Sequence, residues 1–335
     1  MTASLRESSD EDVRHSLEQA LAEVEQEPRP VALLSRKPFA YETSFAIDEL
    51  RVQLDEGEEI DLLVKDIGAG LSATAAAIKS SRVLDPRREI AVYRSLLEPA
   101  EVPAPRFYGA AEDEGTGRAW LFLERVPGEV LADESDPGAW RAAAGWAGQL
   151  NGAIEKHRQP AVDRLLLNRD RDWHQHWLAA ATARCEDAER TELATRLRHC
   201  AGAFLDRLDG LPRAFVHGEL YASNVIVDRV DTETPQVKPV DWEMAGTGPF
   251  ALDLAALVTG WEGEEREAMC EAFHAELPHA AASAISQADF REALGLCELA
   301  LALQWLGWAS DWQPPPEHRR DWTADAARLL EENGL

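Results

Sequence analysis

The chain is short of lysine, cysteine and long apolar runs, and each shortage closes off a class of protein. Five lysines contribute to 34 basic residues, set against 61 aspartates and glutamates for a formal charge of −27. Nucleic acids and anionic membranes are held by clustered Lys and Arg, so an acid excess spread along the whole chain argues against both as partners. The four cysteines, Cys185, Cys200, Cys270 and Cys297, show no Cys-x-x-Cys spacing. They are read as reduced thiols rather than as a disulfide framework or a zinc site. No run of eighteen apolar residues occurs and the first residues are polar and acidic. The expectation is a cytoplasmic protein with neither a membrane span nor a secretory leader. Internal repeats are missing too. The acid excess itself leaves two readings open: a solvated surface suited to a salty cytoplasm, or a field that draws in a cationic substrate.

What is present suffices for a large core or two lobes, since 45% of the 335 residues are apolar. The first third reads as strands. Val31 to Leu34 and Phe45 to Leu54 look like a hairpin, and Asp61-Leu62-Leu63-Val64-Lys65-Asp66 like a buried strand. Asp85-Pro86 then opens a helix with apolar residues at helical spacing through Arg94. From about Ser135 the spacing is helical, over Ala139–Leu150, Asp172–Ala183, Thr191–Leu208, Glu264–Phe273 and Phe290–Trp308. The expected fold class is therefore α+β: a small, mainly antiparallel sheet lobe with one helix at 31–127, then a larger, mostly helical lobe at 128–335. Residues 1–30 read as an acidic N-terminal extension, with a loosely attached helix over 1–28 ended by Glu27-Pro28-Arg29-Pro30.

The chemistry concentrates in one string. Residues 217–224 read His-Gly-Glu-Leu-Tyr-Ala-Ser-Asn, with Asn224 five residues after Glu219 and Asp241 seventeen residues further on. Two β-branched runs, Val225–Val227 and Val237–Val240, lie between Asn224 and Asp241. They predict a hairpin that brings these two residues side by side. An amide oxygen and a carboxylate converging there suit Mg2+, a hard ion that shares oxygen ligands with phosphates. The plainer reading is a surface hairpin with polar flanks.

The string resembles the small-molecule kinase branch of the protein-kinase-like fold, the aminoglycoside phosphotransferases and choline kinases. That branch carries His-Gly-Asp where this chain has His217-Gly218-Glu219, and its Asp-Trp-Glu matches Asp241-Trp242-Glu243. The resemblance implies transfer of the γ-phosphate of ATP, with GTP open as well, to a hydroxyl of an aminoglycoside, amino sugar, sugar or amino alcohol. In its terms Glu219 stands at the base position, and Asn224 and Asp241 hold Mg2+. Lys65 meets the phosphates with Glu89 as its partner, and the Glu124 carbonyl and Val126 amide meet the nucleotide base. His217 would hold the loop, and Asp253 would brace it while starting a helix at Leu254–Val258. A simple helix cap is the alternative for Asp253.

Two departures stand out. No Gly-x-Gly-x-x-Gly covers the phosphates; the corresponding segment, Ser35 to Ser44, offers two cations and the hydroxyls of Thr43 and Ser44. Glu219 is also one methylene longer than the usual Asp. Its basicity is similar, but a displacement of about 1 Å can cost on the order of a hundredfold in rate. A catalytically impaired nucleotide-binding or scaffold protein is therefore the alternative. For the acceptor, Trp305, Trp308 and Trp312 share one helical face. They read either as core or as a stacking wall, with Glu298, Gln304 and Asp311 available to bind hydroxyls or amines. His174 and His176 diverge on a helix and make a poor metal pair.

Overall fold

The computed structural model describes residues 8–39, 45–55, 57–67, 85–113, 118–229, 235–279, 285–308 and 320–335. The chain divides into two compact units, Met1–Pro127 and Gly128–Leu335. The first opens with α1 (Asp10–Glu25), started by a capping box in which Ser9 and Asp12 satisfy each other's backbone N–H. Val13, Leu17, Ala20 and Leu21 form a buried stripe along it.

Strands β1 (Val31–Pro38), β2 (Ala46–Leu54) and β3 (Glu59–Ile67) follow. Next come α2 (Pro86–Val92), β4 (Phe107–Asp113) and β5 (Arg118–Glu124). The strands make one antiparallel sheet in the order β1-β2-β3-β5-β4. The stripe of α1 packs on the face bearing Leu50, Val52, Leu62, Val64, Trp120 and Phe122. Gly109 shows how close the approach is: its φ is 120°, and a Cβ there would lie 2.6 Å from the Ala20 carbonyl oxygen. The expectation of a loosely attached acidic helix is thus corrected. The acids face solvent, and the apolar stripe is part of the sheet's core.

Successive strand residues point to opposite faces, so Lys65 leaves the sheet on the side away from Val64 and α1. There α2 meets it. Asp85 caps that helix by accepting from the Arg87 N–H at 3.0 Å, and the helix runs on through a π-helical turn at Tyr93–Leu97. The segment expected to cover phosphates needs correction too. Ser35, Arg36 and Lys37 belong to β1; Arg36 pairs with Asp48 and Lys37 with Glu49, both at 2.6 Å. Thr43 and Ser44 lie outside the described residues.

The second unit contains β6 (Gly128–Val130), α3 (Pro137–Ala153), β7 (Leu167–Asn168), α4 (Arg171–Asp187) and α5 (Thr191–Asp209). It continues through β8 (Arg213–Val216), β9 (Val225–Asp228), β10 (Gln236–Pro239) and β11 (Gly246–Pro249). Helices α6 (Leu252–Val258), α7 (Gly263–Glu276), α8 (Gln287–Gly307) and α9 (Trp322–Glu332) complete it. Helix α8 buries residues on every side, including Leu294, Leu296, Leu299 and Leu301, and packs against α4, α6 and α9. Two small sheets, β10-β9-β6 and β7-β11-β8, frame the string 217–224. Among the described residues, no helix is long and apolar enough to cross a membrane.

Candidate active site

The expected hairpin is present. β9 and β10 pair antiparallel from Val225↔Pro239 to Asp228↔Gln236. The Val240 N–H extends the ladder by donating to the Asn224 carbonyl at 2.9 Å, which sets Asn224 beside the Val240–Asp241 backbone. Asn224 Nδ2 donates to the Glu219 carbonyl at 2.9 Å, so the amide is oriented by an acceptor that only its nitrogen can serve. Its Oδ1 is the atom left to meet a cation. Asp241 has a left-handed backbone, φ 65°, at the start of the short turn Trp242–Met244. Glu219, Asn224 and Asp241 are all half-buried. One carboxylate and one amide oxygen here could serve as ligands for a hard cation that takes its remaining ligands from phosphates and water.

The loop's geometry is held from below. His217 is fully buried; its Nε2 lies 2.9 Å from the Val240 carbonyl, while Nδ1 accepts the Glu219 N–H at 3.3 Å. A carbonyl partner requires the proton on Nε2, which leaves Nδ1 free to accept. The neutral ring therefore ties the loop to the end of β10. Burial keeps it neutral by lowering its pKa to about 4. Trp242 packs against the ring at 4.4 Å and donates its own Nε1–H to the Pro239 carbonyl at 3.2 Å.

Asp253 accepts the His217 N–H at 2.7 Å and the Gly218 N–H at 2.8 Å. Burial pushes its pKa up to about 6, against the pull of those two donors and the nearby Arg169 cation. It is not a helix cap, because α6 begins at Leu252 after Ala251 and has no side-chain cap. The carboxylate is turned under the loop instead.

In the first unit Lys65 Nζ and Glu89 Oε2 meet at 2.7 Å, and both side chains are buried. The ring of Phe45 lies 5.5 Å from the ammonium. Glu124 ends β5 with its N–H donating to the Arg106 carbonyl, and its carboxylate accepts the Arg106 N–H; both distances are 2.9 Å. Val126, two residues on, is half-buried.

The acceptor candidates do not assemble as expected. Glu298 is buried and paired in two-pronged fashion with Arg266, at 2.9 and 2.8 Å. It is a structural ion pair between α7 and α8, not a substrate group. Trp308 falls just past the end of α8 at Gly307, and its ring still lies 6.4 Å from that of Trp305. Trp305 stacks on Trp322 at 5.5 Å and leans on Tyr221 at 5.4 Å; Trp308 stacks on Trp177 at 4.9 Å. Both indoles are thus packed among other aromatic rings. Asp311 and Trp312 lie outside the described residues. His174 is buried and His176 exposed, so they diverge as expected. All four cysteines are free. Arg169, Tyr221 and the Trp322 stack were missed. A fully buried Arg reads in sequence like any surface Arg, and only the glycines around it, Gly218, Gly246 and Gly248, hint at something bulky.

A buried Lys–Glu pair on an antiparallel sheet, followed by a loop–hairpin–turn unit in a helical remainder, defines the protein-kinase-like two-lobe α+β class. Solved structures share the fold. The GDP complex of aminoglycoside 2'-phosphotransferase-IIIa aligns with a TM-score of 0.51 at 13% identity, covering 89% of this chain and 92% of that one. An amicoumacin kinase in complex with AMP-PNP, Ca2+ and Ami gives 0.53 at 15%, covering 89% and 87%. Residues 48–282 match the family described as "Phosphotransferase enzyme family", APH, and the chain belongs to that family. It is also similar to viomycin phosphotransferase from Streptomyces vinaceus, 33% identical over 174 residues. That match is 49% of this chain and 57% of the relative, so the chain spans little more than half that protein's length.

Proposed function

We propose that this protein transfers the γ-phosphoryl group of ATP, with GTP open as well, to a hydroxyl of a small polar acceptor such as an aminoglycoside, amino sugar, sugar or amino alcohol. One observation carries the reading: the Val240–Asn224 ladder bond sets Asn224 next to the Asp241 backbone, at the end of the loop that carries Glu219. The similarity to viomycin phosphotransferase supports an antibiotic-like acceptor.

Phosphoryl transfer asks mainly for positioning and neutralisation of charge. Asn224 and Asp241 would hold Mg2+, which when bound offsets negative charge on the phosphates. Lys65, fixed by Glu89, would meet the phosphates, and the Glu124 carbonyl and Val126 amide would meet the base. Glu219 would orient the acceptor hydroxyl and take its proton. Its backbone is fixed on two sides, through its N–H to His217 and its carbonyl to Asn224. The extra methylene therefore extends from a fixed base and favours an acceptor set further out. Trp305 and Trp308 would line the acceptor side.

The test is nucleotide consumption with Mg2+ over a panel of those acceptors, using ATP and GTP. Wild type should turn over at least one acceptor, Asp241→Ala should lose activity, and Glu219→Gln should fall on the order of a hundredfold. Intact Mg-nucleotide binding without turnover on any acceptor would leave the impaired, nucleotide-binding reading in its place. A Glu219→Gln variant as fast as wild type would remove Glu219 as the base.

A further inference from the structure

Arg169 follows β7 directly and is 0% exposed. Its guanidinium touches both pieces of chain that carry candidate catalytic groups. Nη2 donates to the Met244 carbonyl at 2.5 Å, in the turn that begins at Asp241. A Cβ on Gly218 would sit 2.0 Å from the same nitrogen, and one on Gly246 would sit 2.8 Å from Nη1. Gly218, at φ 86°, is thus the residue that lets the loop lie directly on the guanidinium. Asp253 accepts the N–H groups of both His217 and Gly218. The loop backbone is consequently held between a buried cation and a buried anion.

A residue that only filled space would not need this chemistry. A guanidinium carries five N–H donors, yet Nε and Nη1 of Arg169 make no hydrogen bond among the described residues. Burying a cation with unmatched donors is unfavourable, and an apolar side chain would fill the volume without that burden. The ring of Trp173 offers partial compensation at 5.3 Å. The carboxylates in its field are Asp253, which braces the loop, and Glu219, which lies on it.

We propose that Arg169 is a positioning residue, which sets the spacing between Glu219 and Asp241 by bearing on Gly218 and Met244 at once. The inference rests on the phosphotransfer reading for its kinetic part and on the loop geometry alone for its structural part. Two variants test it, Arg169→Met, which keeps bulk without charge, and Arg169→Lys, which keeps charge without the fork. For Arg169→Met the expected result is Mg-nucleotide affinity within about twofold, acceptor KM within about threefold and kcat lowered roughly thirtyfold, the size of a small misplacement of reacting groups. Arg169→Lys should recover part of the lost kcat. Hydrogen exchange should quicken in the 215–224 amides of Arg169→Met while α4 and α5 keep their protection.

A kcat within twofold of wild type for Arg169→Met would overturn the proposal. So would an even loss of nucleotide binding, KM and protection across the second unit, the signature of a core filler. If wild type turns over no acceptor, the phosphotransfer reading fails separately, and the exchange experiment still decides: selective loosening of 215–224 supports the positioning role, and unchanged exchange ends it. Should Arg169→Met not fold, Arg169→Lys carries the same readouts, with a kcat loss at constant KM supporting the proposal and an unchanged kcat overturning it.

Discussion

Three buried titratable residues give the fold a pH dependence that can be worked out sign by sign. His174 has its pKa lowered from 6.5 to about 3 by burial, and His217 from 6.5 to about 4. Across those windows the unfolded chain binds protons that the folded chain refuses, so stability is present above 6.5 and is lost as pH falls. Asp253 acts oppositely: it is raised from 3.8 to about 6, so the folded chain holds its proton longer and stability falls as pH rises through that range. From these three groups, two histidines against one aspartate leave one net proton between about pH 4 and 6. That is a slope of about 1.4 kcal/mol per pH unit. Urea unfolding at a series of pH values should show it, and His174→Gln should flatten it. A slope unchanged in that variant would mean that His174 is not the group responsible. At this scale the candidate site was largely legible. The neighbourhood of Asn224 and Asp241 could be read from spacing, because a hairpin's register follows from two short β-branched runs, whereas Glu219 was singled out by the family resemblance. Arg169 stayed hidden because nothing local distinguishes a buried arginine, and Glu298 misled because its partner Arg266 sits on another helix.

Between elements, packing distance decides the sign of a substitution that local propensity alone would misjudge. Gly148 in α3 faces α7 so closely that a Cβ would meet the Phe273 carbonyl oxygen at 2.2 Å. Gly202 in α5 has nothing within 4 Å of such an atom. Alanine improves helix propensity by about 1 kcal/mol at either position. Gly202→Ala should therefore stabilise by roughly 0.5–1 kcal/mol, whereas Gly148→Ala must push two helices apart and should destabilise by about 1–3 kcal/mol. Thermal unfolding of the two variants checks both signs, and a stabilised Gly148→Ala would show that the helix pair yields easily. The same contrast explains which elements were readable. Helices α3, α4, α5, α7 and α8 follow from apolar spacing, since one helix's own sequence carries its buried stripe. The role of α1 was lost because counting its acids conceals the stripe beneath them, and because the covering face belongs to strands far along the chain.

For the molecule as a whole, a formal charge of −27 means that the folded state compresses like charges. The Debye length shrinks from about 10 Å at 0.1 M salt to about 3 Å at 1 M, and exposed ion pairs such as Arg51–Asp61 contribute at most about 1 kcal/mol each. Relief of self-repulsion should outweigh their loss. The melting temperature should therefore rise between low and molar KCl, a salt chosen to limit the surface exclusion that sulfate adds. A falling melting temperature would show instead that the surface pairs act as a network. In the sequence the change from strand to helix periodicity falls near Ser135, a few residues past the boundary between the two units. The acceptor was not readable, because specificity depends on which side chains converge from several helices.

Helix α1 has a practical corollary. The family match runs over 48–282, so a fragment trimmed to those limits would begin inside β2 and discard both α1 and β1. It would bare the sheet face carrying Leu50, Val52, Leu62 and Phe122 and turn β2 into a raw edge. An exposed apolar face beside an open strand edge is what drives chains to aggregate. Residues 8–38 thus serve as an intramolecular shield, and a fragment meant to keep that face covered should retain them.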